Sequence, residues 1–366
     1  MARPVRIGVD ASALLARRTG VGNYLANILT ALPDVAGPLE LMLFSNVPID
    51  TTGIGKVTTR IARPEGWRGF LWQNSQLSAQ LLADPPDLYR GTSGLMPLVR
   101  PRRMATIVTV HDLVYHFAGE TLPPVNRVSR RLLQPASVRA ATRVIAVSQA
   151  TADDVQRIYG RTVDAVIHPV VNQRYGPVAA DEIARVRGQH DLPGRYLLTL
   201  GTLEPRKNLI RLVEAVMLLQ ARGVAAPLLA IAGGSGWCDD ALTAAIDAAE
   251  AAGVARRLGF VDDADLPGLY AGADYFILAS TYEGFGMPVV EAQLCGTRVL
   301  AADIAALREA SDGFATFFEP TTAGIAVCLA NVIADDIDGP RRQMTLDNND
   351  PYRSAARIWD VMQSCL

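Results

Sequence analysis

Lysine is almost missing from this chain: of 35 basic residues only Lys56 and Lys207 are lysine, so a lysine at either place is unusually informative. No run of eighteen uninterrupted apolar residues occurs, which argues against an ordinary membrane-spanning helix. The four cysteines, Cys238, Cys295, Cys328 and Cys365, make no CxxC pair and have no histidine nearby, so neither a zinc site nor a disulfide framework is expected. No Gly-x-Ser-x-Gly elbow is present, which removes the common serine-hydrolase chemistry. His111 and His116 lack the HExxH spacing of zinc proteases. Gly233-Gly234-Ser235-Gly236 is not followed by Lys-Ser/Thr, so it reads as a tight strand-to-helix turn beside Trp237, not as a P-loop. The first ten residues run straight into a strand without a signal-peptide core, and a cytoplasmic location is the expectation.

What is present is an alternation of short apolar runs with longer amphipathic ones, the pattern of α/β domains with parallel sheets. At 366 residues the chain suits two domains. Strands are predicted at Arg6–Val9, Leu39–Phe44, Val57–Ala62, Leu88–Gly91, Ala105–Val110, Arg143–Ala146 and Ala165–His168. A second set follows at Tyr196–Gly201, Pro227–Ala232, Arg257–Phe260, Asp274–Leu278, Arg298–Ala301 and Thr316–Phe318. Helices are predicted near 20–32, 67–83, 123–141, 149–158 and 207–222. The stretch Val170–Arg195 reads as the hinge. The expected division is 1–175, 176–350 and a terminal helix over 351–366 that belongs with either domain, by preference the first. Charge divides the same way, with +8 over residues 1–175 and −10 over 176–366, which suggests different partners for the two halves.

In open α/β sheets ligands lie beyond the carboxyl ends of strands, at helix N-termini. Two stretches have that position. The first runs Ser280-Thr281-Tyr282-Glu283-Gly284-Phe285-Gly286-Met287-Pro288-Val289-Val290-Glu291, after an apolar strand and into a helix with proline in its first turn. Its glycines allow close approach of backbone to a ligand, and two carboxylates suit a sugar and a vicinal diol. Glu291 as a simple helix-dipole partner is the plain alternative. The second stretch is Gly201-Thr202-Leu203-Glu204-Pro205-Arg206-Lys207-Asn208. Two adjacent cations at a strand-to-helix turn suit a diphosphate, and each charge-assisted contact contributes about 1.5–3 kcal/mol. A solvated basic turn is the alternative.

Together these stretches resemble the retaining GT-B glycosyltransferases of family 4, the glycosyl group 1 superfamily. Glu283 and Glu291 match its E-x7-E signature, and Glu204 to Asn208 its E-P-R-K-N turn. Leu258-Gly259-Phe260-Val261, Thr19-Gly20-Val21-Gly22-Asn23-Tyr24, His111-Asp112-Leu113 and Val147-Ser148 extend the resemblance over nearly the whole chain. The resemblance implies an α/β GT-B fold, two Rossmann-like domains facing across a cleft, the first for the acceptor and the second for a nucleotide sugar. It implies that Arg206 and Lys207 bind the diphosphate, Glu291 the ribose, and Glu283 with the amides of Phe285, Gly286 and Met287 the donor sugar. Phe260 and Val261 would border the base, Gly22 would offer an amide to phosphate, and His111 would hydrogen-bond the transferred sugar and stabilise the reacting centre. His111 as a satisfied structural histidine is the competing alternative.

The pattern is most like bacterial mannosyl- and deoxyhexosyltransferases of polysaccharide assembly, so GDP-mannose is the first expectation for the donor and UDP-sugars the second. The acceptor would be a saccharide, free or linked to a polyprenyl diphosphate. No cofactor, metal or nucleic acid is expected. A sugar-nucleotide epimerase, a sugar phosphorylase and a non-catalytic binding subunit are the rivals. Asp263-Ala264-Asp265 and Asp336-Ile337-Asp338 have the DxD form of metal sites, but the first reads as helix N-capping and the second follows no strand. Arg100, Arg102, Arg103, the helix arginines Arg127, Arg130, Arg131 and Arg139, and the aromatics Trp67, Phe70 and Trp72 with Leu71 suggest peripheral docking on an anionic inner membrane face, or a solvated face over core aromatics.

Overall fold

The structure, a computed structural model, describes the chain except for residues 1–2, 17, 19, 56, 62–71, 118–123, 193, 235, 237–239 and 335–348 and the side chains of 124–129. It divides into two compact units. The first comprises Met1–His116, Pro123–Asn172 and Asp347–Leu366, and the second Phe117–Leu122 and Gln173–Leu346.

The first unit holds β1 (Val5–Asp10), β2 (Leu39–Ser45), β3 (Val57–Ile61), β4 (Leu88–Gly91), β5 (Ala105–Val110), β6 (Arg143–Ala146) and β7 (Ala165–Val166). Their order across the sheet is β3-β2-β1-β4-β5-β6-β7, and every pairing is parallel. The second unit holds β8 (Tyr196–Leu200), β9 (Leu228–Ala232), β10 (Ala255–Gly259), β11 (Tyr275–Leu278), β12 (Arg298–Ala302) and β13 (Ala315–Phe318), in the order β10-β9-β8-β11-β12-β13. Both are doubly wound sheets whose strand order reverses at one point, between β1 and β4 and between β8 and β11. Helices cover both faces, so the central strands are buried on each side and read as continuous apolar runs. All thirteen predicted strands are present within two residues of the expected ends.

Two expectations change. Val170–Arg195 is more than a hinge, because it contains the helix Ala180–Gln189, which packs on the helix Leu266–Gly272 of the second unit. Gly268 makes that packing possible, since a Cβ there would meet Val186 at 2.7 Å. The mixed charges that suggested a linker instead form a cluster: Arg185 donates to Glu182 and to Asp265, and Gln189 also donates to Asp265. That cluster corrects the reading of Asp265 as well. It stands at the N-cap position of Leu266–Gly272 but makes no side-chain cap bond, because its carboxylate is engaged by Arg185 and Gln189. Asp263 pairs with Arg174 at 3.3 Å. Asp336-Ile337-Asp338 lies outside the described residues.

The terminal helix Pro351–Gln363 belongs to the first unit. Its Ala355, Ile358 and Met362, spaced three and four apart, share the core with Leu25, Ile28, Leu29 and Leu32 of the helix Gly20–Ala36. Just before it, Asn349 exchanges two hydrogen bonds with the backbone of Val171, at 2.7 and 2.9 Å, and Asp350 caps the helix through the amide of Tyr352. Ile358 is fully buried. Ile358→Ala is therefore expected to destabilise the first unit by about 2–5 kcal/mol, read from urea unfolding. A loss below about 1 kcal/mol would show that the helix is not integral to that core.

Candidate active site

The carboxyl ends of β8 and β11, at the switch point of the second sheet, carry a compact cluster of opposite charges. After β8 the chain passes Gly201 in a left-handed conformation (φ 151°), packed so tightly on Gly233 at the end of β9 that a Cβ on Gly233 would sit 2.0 Å from the Gly201 oxygen. A short 3₁₀ turn, Pro205–Lys207, follows. The predicted helix at 207–222 starts at Leu209, because Asn208 adopts a left-handed conformation (φ 58°). Its side-chain amide donates to the carbonyls of Ala279 and Pro320, 3.0 Å each, which fastens the turn to the loop beyond β11. The amide of Thr281 adds a 2.9 Å bond to the Arg206 carbonyl.

This frame brings Arg206 and Lys207 onto Glu283. Arg206 Nη1 donates to Glu283 Oε2 at 2.9 Å, Lys207 Nζ to Oε1 at 2.5 Å, and Ser280 Oγ to Oε1 at 2.8 Å. Arg206 Nε also donates to Glu204 at 2.8 Å. Lys207 and Glu283 have side chains only 10% exposed, so this is no solvated basic turn. Burial alone would raise the Glu283 pKa, but the charges of Lys207 and Arg206 and the bonds from Lys207 and Ser280 hold it down at about 2. Glu283 is therefore an acceptor-only carboxylate at any ordinary pH.

Glu291 lies in the helix Met287–Leu294, whose N-cap is Gly286 at φ 117°. A Cβ on Gly286 would lie 2.5 Å from Leu307, so the position has no room for a side chain. Phe285 is buried and Met287 half-buried beside it. Glu291 is the fifth helical residue and is buried, which places it past the turn where a helix-dipole partner would stand. Tyr270 Oη donates to its Oε2 at 2.7 Å. Burial pushes the Glu291 pKa up to about 7; Asp263 adds to the rise, while the Tyr270 bond and the charges of Arg174 and Lys207 oppose it. Two carboxylates eight residues apart thus ionise very differently. Phe260, 55% exposed, borders a cavity of about 460 Å³ with Leu203, Ile231, Gly234 and Ile246, whereas Val261 is buried.

In the first unit, His111 follows β5 and is half-buried. Its Nε2–H donates to the Thr92 carbonyl at 2.9 Å, which leaves Nδ1 as an acceptor. Burial lowers its pKa to about 4; Asp112 and the Thr92 bond resist, and Arg90 and Arg130 reinforce the fall. Asp112 accepts from the Val114 amide at 3.1 Å, closing a turn just after His111. Gly22 is inside the helix Gly20–Ala36, where a Cβ would meet the Ala13 oxygen at 2.4 Å, so glycine is required there by packing.

Several site residues were not singled out from sequence. Arg90, an arginine within the strand Leu88-Tyr89-Arg90-Gly91, is fully buried and donates weakly to Thr109 and Tyr24. Its charge inside an apolar strand was the available signal. Tyr270 and Ser280 gave none. Of the basic surface, Arg130, Arg131 and Arg139 donate to the carbonyls of Ser93, Tyr115 and Tyr159, and Trp72 is core. Trp67, Phe70, Leu71, Thr19, Ser235, Trp237, Cys238 and the Arg127 side chain lie outside the described residues. Among the described residues no helix is long and apolar enough to cross a membrane, and no three His, Cys, Asp or Glu side chains are grouped to hold a metal ion.

Two Rossmann-like units, with a paired-cation turn facing an E-x7-E loop at the switch point of the second, place this site where doubly wound α/β folds bind their ligands. Residues 19–174 match the family described as Glycosyltransferase Family 4, and residues 181–342 the Glycosyl transferases group 1. The chain belongs to this glycosyltransferase family and has its GT-B fold. It is 31% identical over 237 residues to O-antigen chain mannosyltransferase B of Escherichia coli, covering 63% of this chain and 61% of that protein. Over 224 residues it is 29% identical to the Escherichia coli serotype-specific mannosyltransferase WbdA, covering 59% of this chain and 27% of that one. The chain thus spans less than two thirds of either relative. Among solved structures, Anabaena Alr3699/HepE in complex with UDP and glucose superposes with a TM-score of 0.73 at 20% identity, over 99% of this chain and 100% of that one.

Proposed function

We propose that this chain transfers mannose from GDP-mannose, with retention of configuration and without a divalent metal, onto a saccharide or polyprenyl-diphosphate-linked saccharide in bacterial polysaccharide assembly. The observation that carries it is the cluster of Arg206, Lys207 and Glu283, with Lys207 buried, at the carboxyl edge of β8 and β11. The mannosyltransferase names of the two Escherichia coli relatives support the sugar and the setting.

When the bond between sugar and diphosphate lengthens, negative charge gathers on the leaving phosphate oxygens and positive charge on the sugar ring. Cations already fixed at that edge stabilise this state more than the ground state. An ammonium has three donors and a guanidinium five, so both can share themselves between Glu283 and a diphosphate. Glu283, ionised and acceptor-only, holds donor-sugar hydroxyls with the amides of Phe285, Gly286 and Met287. Glu291 takes the ribose, Phe260 and Val261 border the base, and Gly22 offers an amide to phosphate. Neutral His111 accepts from the transferred sugar through Nδ1. In the first unit Leu98 and Val99 are exposed next to Arg102 and Arg103, which supports peripheral docking on an anionic membrane at the cytoplasmic face.

The test is thermal stabilisation by GDP, UDP, ADP and dTDP with their sugars, followed by mannose transfer with and without EDTA. GDP and GDP-mannose are expected to give the largest shifts, and chelation to leave transfer intact. Preference for another nucleotide overturns the donor, and loss of transfer on chelation overturns the metal-free mechanism.

A further inference from the structure

The carboxylate assigned to the ribose has an unusual companion. Tyr270, in the helix Leu266–Gly272, is fully buried, and its hydroxyl meets Glu291 Oε2 at 2.7 Å. The ring is fixed on several sides. It stands edge-on to Phe276 of β11, with centroids 5.3 Å apart, and to Tyr175 at 5.9 Å. Its own carbonyl accepts a 2.6 Å bond from Thr297 Oγ1. A hydroxyl so confined cannot turn to solvent, and the carboxylate is the acceptor it reaches.

We propose that Tyr270 is a positioning residue for nucleotide recognition: by donating to one oxygen of Glu291 it fixes the carboxylate plane and directs the remaining acceptor sites toward the vicinal hydroxyls of a ribose. It touches no substrate itself and acts through Glu291. The inference rests on the ribose role assigned to Glu291 above. A carboxylate has about four acceptor sites, and one taken by a fixed donor leaves the others in defined directions. A diol needs two of them at once, so a few degrees of freedom in the carboxylate would weaken both bonds together.

The same bond sets how readily Glu291 ionises. Facing it are Asp263, whose charge disfavours ionisation, and Arg174 and Lys207, which favour it; Tyr175 and Cys295 also lie within its field. Tyr270 stabilises the charged form against burial. Removing the hydroxyl therefore raises the pKa of Glu291, and a diol that prefers the charged acceptor then binds less well near neutrality.

Tyr270→Phe removes one oxygen and keeps the ring. Calorimetric binding of GDP and UDP is compared with that of their 2′,3′-dideoxy forms, from pH 5.5 to 8.5, after circular dichroism confirms folding. The expected result is a roughly tenfold loss for the ribonucleotides and less than twofold for the dideoxy forms. The pH midpoint of ribonucleotide affinity moves upward in the variant, and in a Glu291→Ala background, which leaves the hydroxyl no carboxylate to orient, Tyr270→Phe has no further effect. Equal losses for both nucleotide types, or an unmoved midpoint, overturn the proposal and leave Tyr270 as core packing. A separate measurement needs no nucleotide. Infrared titration of the ligand-free protein, with the Glu291 carboxyl band identified by its loss in Glu291→Gln, should show the midpoint rising in Tyr270→Phe. If that rise occurs while neither nucleotide binds wild type, the ribose assignment fails and the control of Glu291 by Tyr270 stands. If the midpoint stays where it is, the positioning role itself fails.

Discussion

Lys207→Met is expected to cut turnover of the sugar donor by about 10²–10³ and to destabilise the second unit by about 3–5 kcal/mol. The two losses have different physical origins. Turnover falls because a fixed cation no longer meets the charge that grows on the departing diphosphate. Stability falls because Glu283, with only 10% of its side chain exposed, loses the 2.5 Å partner that compensates its charge. The charge of Lys207 is the first of the influences holding that carboxyl down against burial, so its pKa rises in the variant. A second substitution separates the effects. Lys207→Met with Glu283→Gln removes both charges and is expected to regain most of the stability, while turnover stays low. Initial rates of GDP release from GDP-mannose and urea unfolding of the three proteins provide the check. Full activity in the folded double variant would refute a role for Lys207 in leaving-group stabilisation.

Glu291→Gln should do the opposite to stability. With a folded-state pKa raised from an unperturbed 4.5 to about 7, Glu291 binds more protons folded than unfolded between those values. Its contribution is therefore fully present below about pH 4.5 and is lost as pH rises through about 7, a change on the order of 3 kcal/mol. Glutamine cannot ionise and can still accept from Tyr270. The variant is thus expected to match wild type near pH 4.5 and to be more stable by that amount at pH 8, while nucleotide affinity drops. Urea midpoints across the pH range measure the first effect and calorimetry with GDP the second. A stability difference that is flat with pH would show that Glu291 is not held in the protonated form. A buried carboxylate that costs stability is what a binding site retained for function looks like.

Much of this molecule is visible in short stretches of chain. The thirteen strands stand out because parallel strands buried on both faces are continuous apolar runs between turn residues. The turn from Glu204 to Asn208 and the pair Glu283 and Glu291 stand out because each occupies one contiguous segment at the end of a strand. The helix Ala180–Gln189 was hidden for the converse reason: its charges look like a linker until Asp265, 80 residues on from Arg185, supplies the partner. Asp265 does stand at the cap position, but its carboxylate turns to Arg185 and Gln189 for the same cause. Arg90 announces itself only as an oddity in an apolar strand, and its burial near His111 is a property of the sheet.

Local pattern thus dictated the elements, their alternation, the two-unit organisation and the residue types at each strand end, because burial and backbone geometry act over a few residues at a time. Folding alone settled who meets whom. Glu283 lies 77 and 76 residues from the cations that neutralise it, and Tyr270 lies 21 from the carboxylate it engages. Those distances close only when crossover helices bring non-neighbouring strands side by side, and ionisation then follows from the burial and neighbours found there: one glutamate at about 2, the other at about 7.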